Sequence, residues 1–319
     1  MAERSYRERI GVNLSSRPAN DLILRIEQLE HAGIETVWAT QNPFDLDLLT
    51  LYGAVAARTT RIRLGTSIVP AFTRHPLAMA SQARTIESIA PNRLRLGIGT
   101  SHQIMIEDGY GLSLNRALPR LREYLQVLKP ALQGGAVSFK GEFYDANVQF
   151  PTIAHTPVLI SALRENAWAL AGELSDGAIS WNVPIEFLLN TAKPALENGA
   201  KSAGREAPPI VAHTIIAFLD EERTKATARD TLRKNLAGYT QTVYYPRMWE
   251  ASGYPLGPDR QLPEPLVDAL LFCSDDDAAF ADFFRGRLDQ GIDELLIQLV
   301  PGVDRNLDEA RLAAIVGNI

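Results

Sequence analysis

Arg61-Ile62-Arg63-Leu64-Gly65-Thr66-Ser67-Ile68-Val69-Pro70 and, a helix later, Arg93-Leu94-Arg95-Leu96-Gly97-Ile98-Gly99-Thr100-Ser101-His102 decide how this chain folds. Each run is short, rich in branched apolar residues and closed by a breaker or by small residues, which is the signature of a buried strand running into a loop. Between them Pro76 opens a helix, and Leu77, Ala80, Ala83, Ile86 and Ile89 recur at helical spacing until Pro91-Asn92 stops it. Two strands joined by one helix over so short a span make a right-handed βαβ unit of a parallel sheet. In such sheets ligands sit at the carboxyl ends of the strands. Both ends here carry small or hydroxylated residues, Thr66-Ser67 on one and Gly99-Thr100-Ser101 on the other.

The same rhythm extends in both directions. Ile10–Leu14 and Glu35–Ala39 read as strands one and two, with a helix from about Pro18 to His31 between them, and the end of strand two brings Thr40 and Gln41 to the same rim. After His102, a loop containing Glu107-Asp108-Gly109-Tyr110-Gly111 is long enough to cover a site, and a helix with Leu118, Leu121, Leu125, Leu128 and Leu132 follows. Val137 to Phe150 reads as an inserted β-hairpin. Strands five to eight are expected at Pro157–Ser161, Gly177–Ser180, Ile210–Phe218 and Glu294–Val300. From Tyr239 to Pro265 aromatics crowd among Pro and Gly, which reads as a long ordered loop over one face. Eight strands alternating with helices predict an α/β fold, a (β/α)₈ TIM barrel forming one domain over 1–319, with insertions at about 134–156 and 239–265.

Composition narrows the function. Of 319 residues 46% are hydrophobic and 22% charged, which suits a soluble chain with a sizeable core. A net charge of -6 without any Lys/Arg block argues against nucleic acid as a partner. The first residues, Met1 to Tyr6, lack the apolar core of a signal peptide, and no apolar run reaches membrane length. A lone Cys273 allows no internal disulfide, so the cytoplasm is the expected compartment. The five histidines show no metal spacing, and no metal is expected. Gly97-Ile98-Gly99 lacks the third glycine of a dinucleotide fingerprint, and neither a Walker loop nor a nucleophile elbow occurs.

Taken together, Leu64–Pro70 with Arg74-His75-Pro76, Pro91–Thr100, Ser161-Ala162-Leu163, Ala171–Gly177 and Gly291–Leu295 resemble the bacterial luciferase-like superfamily, and within it the branch that uses the deazaflavin coenzyme F420. The resemblance spans most of the chain outside 239–265. It implies a flat deazaflavin at the carboxyl-terminal rim, FMN being the alternative cofactor. A bulge with a non-prolyl cis peptide backs the ring in that family, and Ser67-Ile68 occupy those positions. Thr40, Gln41, Thr100, Ser101 and His102 would line the cofactor, and the loop Ala162-Leu163-Arg164 would offer backbone N–H groups and a guanidinium to its phosphate.

This chain departs from that pattern at two positions. Thr40-Gln41 stand where many relatives have Asp-His, and His102 stands where some have Glu. An alcohol or sugar dehydrogenase relying on that base is therefore disfavoured. The expected reaction is hydride transfer from reduced deazaflavin to an imine or activated alkene, with His102 as proton donor and Tyr110 in reserve. The expected partners are a small-molecule substrate and a second copy of the chain in a homodimer, with neither nucleic acid nor membrane. The rival readings are an FMN-dependent monooxygenase and a non-catalytic flavin-binding barrel. Trp38 and Trp181 read as packing residues, His75 as either a helix-start residue or a phosphate contact, and Gly97 and Gly99 as turn formers.

Overall fold

Strands that are buried along their whole length, such as Ile10–Leu14, Thr36–Ala39 and Leu94–Gly99, are what a parallel sheet wrapped by helices produces. The computed structural model describes residues 4–14, 18–42 and 44–319, so the leading Met1-Ala2-Glu3 lies outside the described residues. In chain order the elements are β1 (Ile10–Leu14), α1 (Ala19–His31), β2 (Thr36–Ala39), α2 (Leu48–Arg58), β3 (Arg63–Thr66), β4 (Val69–Pro70), α3 (Pro76–Ile89), β5 (Leu94–Gly99), α4 (Ala117–Lys129), β6 (Ala136–Lys140) and β7 (Asp145–Gln149). They continue as β8 (Val158–Ser161), α5 (Glu165–Leu174), β9 (Gly177–Ile179), α6 (Ile185–Phe187), α7 (Lys193–Ser202), β10 (Ile210–Phe218), α8 (Lys225–Thr240) and α9 (Tyr244–Ala251). The chain ends with α10 (Glu264–Leu270), β11 (Leu271–Ser274), α11 (Asp277–Asp289), β12 (Glu294–Leu299) and α12 (Arg305–Gly317).

Strands β1-β2-β3-β5-β8-β9-β10-β12 pair in parallel in that order, and β12 returns to β1, closing the eight-stranded barrel. These are the eight strands expected from the sequence. The β6–β7 hairpin forms its own antiparallel sheet, also as expected. Three segments differ. The stretch read as a loop after His102 contains a π-helical turn at Ile104–Gly109. The supposed loop at 239–265 is built around α9, with Pro246 in the helix's first turn, where a missing N–H costs nothing. Straight after α10 comes an unexpected strand, β11, which pairs with the upper half of β10 while β9 pairs with its lower end.

Side chains alternate in and out of the barrel, and the interior stacks in layers. The amino-terminal end holds Arg95 and Glu294, both buried. The middle layer is apolar, with Trp38, Leu159, Ile179, Val211 and Leu296 in one cluster. Gly11 and Gly65 make room for the Trp38 indole: a Cβ on either would lie 2.5 Å or 2.3 Å from it. Trp38 is thus a packing residue, as read. The same alternation sends Asn13, Gly99, Ser161, Trp181, His213 and Gln298 to the carboxyl-terminal mouth.

Candidate active site

The end of β3 supplies the first wall of the mouth. Thr66 Oγ1 donates to Gly97 O at 2.7 Å, and Ser67 N donates to Ala39 O at 2.8 Å, so the strand is held from both sides up to this point. The Ser67–Ile68 peptide is then cis, as the sequence reading anticipated. Beyond it Gln41 N donates to Ile68 O at 3.1 Å, and Val69 pairs with Ile98 of β5. The bulge is pinned laterally as well: Thr40 Oγ1 donates to Ser67 O at 2.8 Å, and Ser67 Oγ to Asn13 Oδ1 at 3.3 Å. A Cβ on Gly99 would sit 2.2 Å from Ser161 Oγ and 3.1 Å from Ile68 Cγ1. Gly97 and Gly99 lie inside β5, so they serve this close approach between strands and not a turn.

The opposite wall is made of rings. Trp181, just past β9, stacks on His213 of β10 with centroids 3.9 Å apart and planes 18° from parallel. His213 Nδ1 accepts the Asn182 N–H at 3.2 Å, which places its proton on Nε2, facing Gln298 Oε1 at 2.7 Å. Burial pushes His213 down to about 4 against the opposing pull of the Gln298 bond, so it is neutral at pH 7. Trp181 Nε1–H donates to the Tyr239 hydroxyl at 3.0 Å, and Trp249 Nε1–H donates to Asn182 O at 2.9 Å. Asn182 takes a left-handed φ of 53°, and Ser101, past the end of β5, one of 60°. Tyr239 meets His102 edge-on at 5.6 Å and Tyr245 at 4.7 Å.

Several sequence-predicted residues meet here. Thr40, Ser67 and Ile68 form the first wall, and His102 joins the second, half-buried, with burial lowering its pKa. Neither ring nitrogen of His102 is hydrogen-bonded to another described residue. Thr100 and Ser101 are half-buried at the end of β5. Others are placed differently. The Gln41 carboxamide turns away to α2, accepting the Leu48 N–H at 3.2 Å, because that helix start needs an acceptor. The Ala162 N–H is spent in the sheet on Ile179 O at 3.0 Å, so it cannot serve a phosphate. Leu163, Arg164, Glu165 and Asn166 offer N–H groups that bond to no other described residue, and the Arg164 guanidinium lies 5.4 Å over the Tyr244 ring. Tyr110 is exposed and stacks on Phe44 at 5.6 Å, whereas the ring neighbours of His102 are Tyr239 and Tyr245. His75 caps α3, its Nδ1 accepting the Leu77 N–H at 3.2 Å.

Sequence reasoning missed Asn13, His213, Gln298 and Tyr239 as site residues and read Trp181 as packing, whereas the aromatics from Tyr244 to Tyr254, Tyr245 among them, read as an apolar substrate wall. Inward alternation along β1, β10 and β12 would have pointed to the first three. For the tyrosines only the crowding of aromatics after Gly238 gave a signal.

The assembled mouth offers an apolar floor at Ile68, small hydrogen-bonding groups around it and an aromatic wall opposite. That arrangement has the shape and chemistry to take a flat ring with polar groups on its edge. Over residues 5–270 the sequence matches the luciferase-like monooxygenase family. It is 29% identical over 226 residues to the 5,10-methylenetetrahydromethanopterin reductase of Archaeoglobus fulgidus, covering 68% of this chain and 67% of that one. It is 28% identical over 264 residues to the F420-dependent glucose-6-phosphate dehydrogenase of Nakamurella multipartita, covering 79% and 76%. In fold it resembles the solved coenzyme F420-dependent tetrahydromethanopterin reductase of Methanopyrus kandleri, with a TM-score of 0.74 and 21% identity over 97% of this chain and 96% of that one. Because the match runs through the bulged third strand and on past the aromatic wall, the chain belongs to the luciferase-like monooxygenase family.

Proposed function

We propose that this chain is an F420-dependent oxidoreductase that passes a hydride from reduced deazaflavin to an unsaturated small molecule, an imine or an activated alkene. The observation that carries the reading is the bulge at Ser67 and Ile68, pinned by Thr40, Gln41 and Asn13 at the carboxyl-terminal end of the barrel. Relatives named for F420-dependent reactions support it. The residues present fit such a cofactor: Ile68 offers a floor to the ring, and Asn13, Thr40 and Ser67 offer polar groups to its edge. The N–H groups of Leu163 to Asn166 at the start of α5, with Arg164, suit its phosphate. When bound, reduced deazaflavin supplies a hydride and lacks the ring nitrogen through which flavins activate oxygen.

On the substrate side His102 is the proton donor. Its half-buried ring makes no hydrogen bond to another described residue, and burial lowers its pKa, so the protonated form is a minor one at pH 7 that acid enriches. A cytoplasmic homodimer is the form that the resemblance and the single cysteine support; sedimentation measures it.

The test is cofactor titration of the purified protein. F420 should bind much more tightly than FMN, since its longer acidic tail gains contacts beyond the shared ring and phosphate, and Arg164→Ala should weaken both. The family description favours one second reading, an FMN-dependent monooxygenase. Equal affinities, or tighter FMN with oxygen uptake, would establish that rival instead.

A further inference from the structure

The second wall of the mouth is aromatic and uncharged. Trp181 and His213 stack at 3.9 Å, His102, Tyr239 and Tyr245 touch through ring contacts of 4.7 to 6.0 Å, the Trp181–Tyr239 hydrogen bond joins the two groups, and no described Lys, Arg, Asp or Glu side chain takes part in those contacts. Burial lowers the His102 pKa, and among the described residues no carboxylate or guanidinium is hydrogen-bonded to its ring. Within this wall the Tyr239 hydroxyl has two neighbours, the Trp181 indole and the Asn182 carboxamide, and both act to lower its pKa, as groups that donate to Oη do. The Trp181 indole N–H can only donate, so Tyr239 Oη accepts at 3.0 Å and directs its own proton away from Trp181. Burial raises the Tyr239 pKa, which keeps that proton in place. The ring is half-buried and held by its edge-on partners, so the hydroxyl is aimed by packing.

We propose that Tyr239 and its neighbouring rings seat a planar, uncharged, conjugated carbonyl compound, with the Tyr239 hydroxyl donating a hydrogen bond to the carbonyl oxygen. This names a substrate class for the reading above and rests on it. A flat conjugated ring matches the aromatic faces, whereas a carboxylate or phosphate would lose its hydration without gaining a cation. A ring system without an acceptor would leave the Tyr239 proton unpaired, and sites built around a hydrogen bond discriminate against such ligands.

Coumarin tests the proposal, with naphthalene as a similar two-ring molecule lacking any acceptor and coumarin-3-carboxylate as the charged counterpart. Calorimetric titrations are run on the protein alone and on the protein saturated with oxidised F420. Wild type should bind coumarin at least about tenfold more tightly than naphthalene or the carboxylate. Tyr239→Phe, which keeps the ring, should erase the preference over naphthalene and leave naphthalene binding unchanged. No coumarin binding, equal binding of coumarin by wild type and Tyr239→Phe, or a preference for the carboxylate would each overturn it. The two readings fail separately: an F420 titration that shows no binding sinks the cofactor assignment, whereas F420 binding without the coumarin pattern sinks only the role of Tyr239.

Discussion

Both ends of the barrel interior are polar, but they are polar in different ways. At the amino-terminal end Glu294 is gripped by Arg95 through both carboxylate oxygens and by Arg4 at 2.7 Å, and the Arg95 guanidinium lies 4.8 Å over the Trp38 ring. Burial works to raise the Glu294 pKa, and the two guanidiniums overrule it and hold the carboxyl below its usual range. At the mouth, Asn13, Ser67, His213 and Gln298 are joined by single hydrogen bonds between neutral groups. The lower end spends its polarity on itself, which is what a structural network does. The mouth keeps capacity in reserve, at the ring nitrogens of His102 and the proton of Tyr239, which is what a ligand site requires.

The largest effect should come from breaking the lower network. Glu294→Ala leaves the buried Arg95 cation without its main partner and should cost about 3–5 kcal/mol, read as a lower urea midpoint, with F420 affinity of the folded protein retained. A loss of cofactor binding equal to the loss of stability would erase the distinction between the two ends.

A smaller effect separates the ends by pH. His213 titrates near 4 in the fold and near its ordinary 6.5 when unfolded, so between those values the unfolded chain binds a proton that the folded chain refuses. Stability from this group is therefore intact above pH 6.5 and falls on acidification, by up to roughly 3 kcal/mol at pH 4. Thermal melts of wild type and His213→Gln across that range should diverge in slope; parallel curves would mean that the ring is not held neutral.

The smallest effect concerns chemistry alone. His102→Ala should slow hydride-coupled turnover by about tenfold without weakening F420, and the wild-type rate should fall as pH rises through a histidine pKa below 6.5. An unchanged single-turnover rate and pH profile would reduce His102 to a wall of the pocket.

The barrel was legible because parallel strands are buried on both faces, so Leu64–Pro70 and Leu94–Gly99 stand out as short stretches of branched apolar and small residues between breakers. The first wall of the mouth was legible for a related reason: Thr40 follows β2, and Ser67 and Ile68 follow β3. The second wall was not, because Trp181, His213 and Tyr239 come from β9, β10 and the end of α8 and meet only in the folded chain. Local signals also misled. Tyr244-Tyr245-Pro246 looks like a breaker, yet proline fits the first turn of α9. Leu266 to Cys273 reads as one apolar segment, and only the edge left free on β10 divides it into α10 and β11. The carboxamide of Gln41 turns away from the mouth because it accepts the Leu48 N–H, which the Asp47 cap of α2 leaves unmet, a demand invisible at the level of motif.

Since β11 lies directly beside β10, with Leu271 level with Ile215, everything between Phe218 and Leu271 departs from and rejoins the barrel along one seam. Tyr239, Tyr245 and Trp249 all belong to that excursion, while Ser67, Ile68 and the start of α5 belong to the frame. Descent could thus retool one side of the mouth in a single exchange and inherit the other untouched. A chimaera cut at Phe218 and Leu271 would carry a new substrate preference on an old cofactor grip.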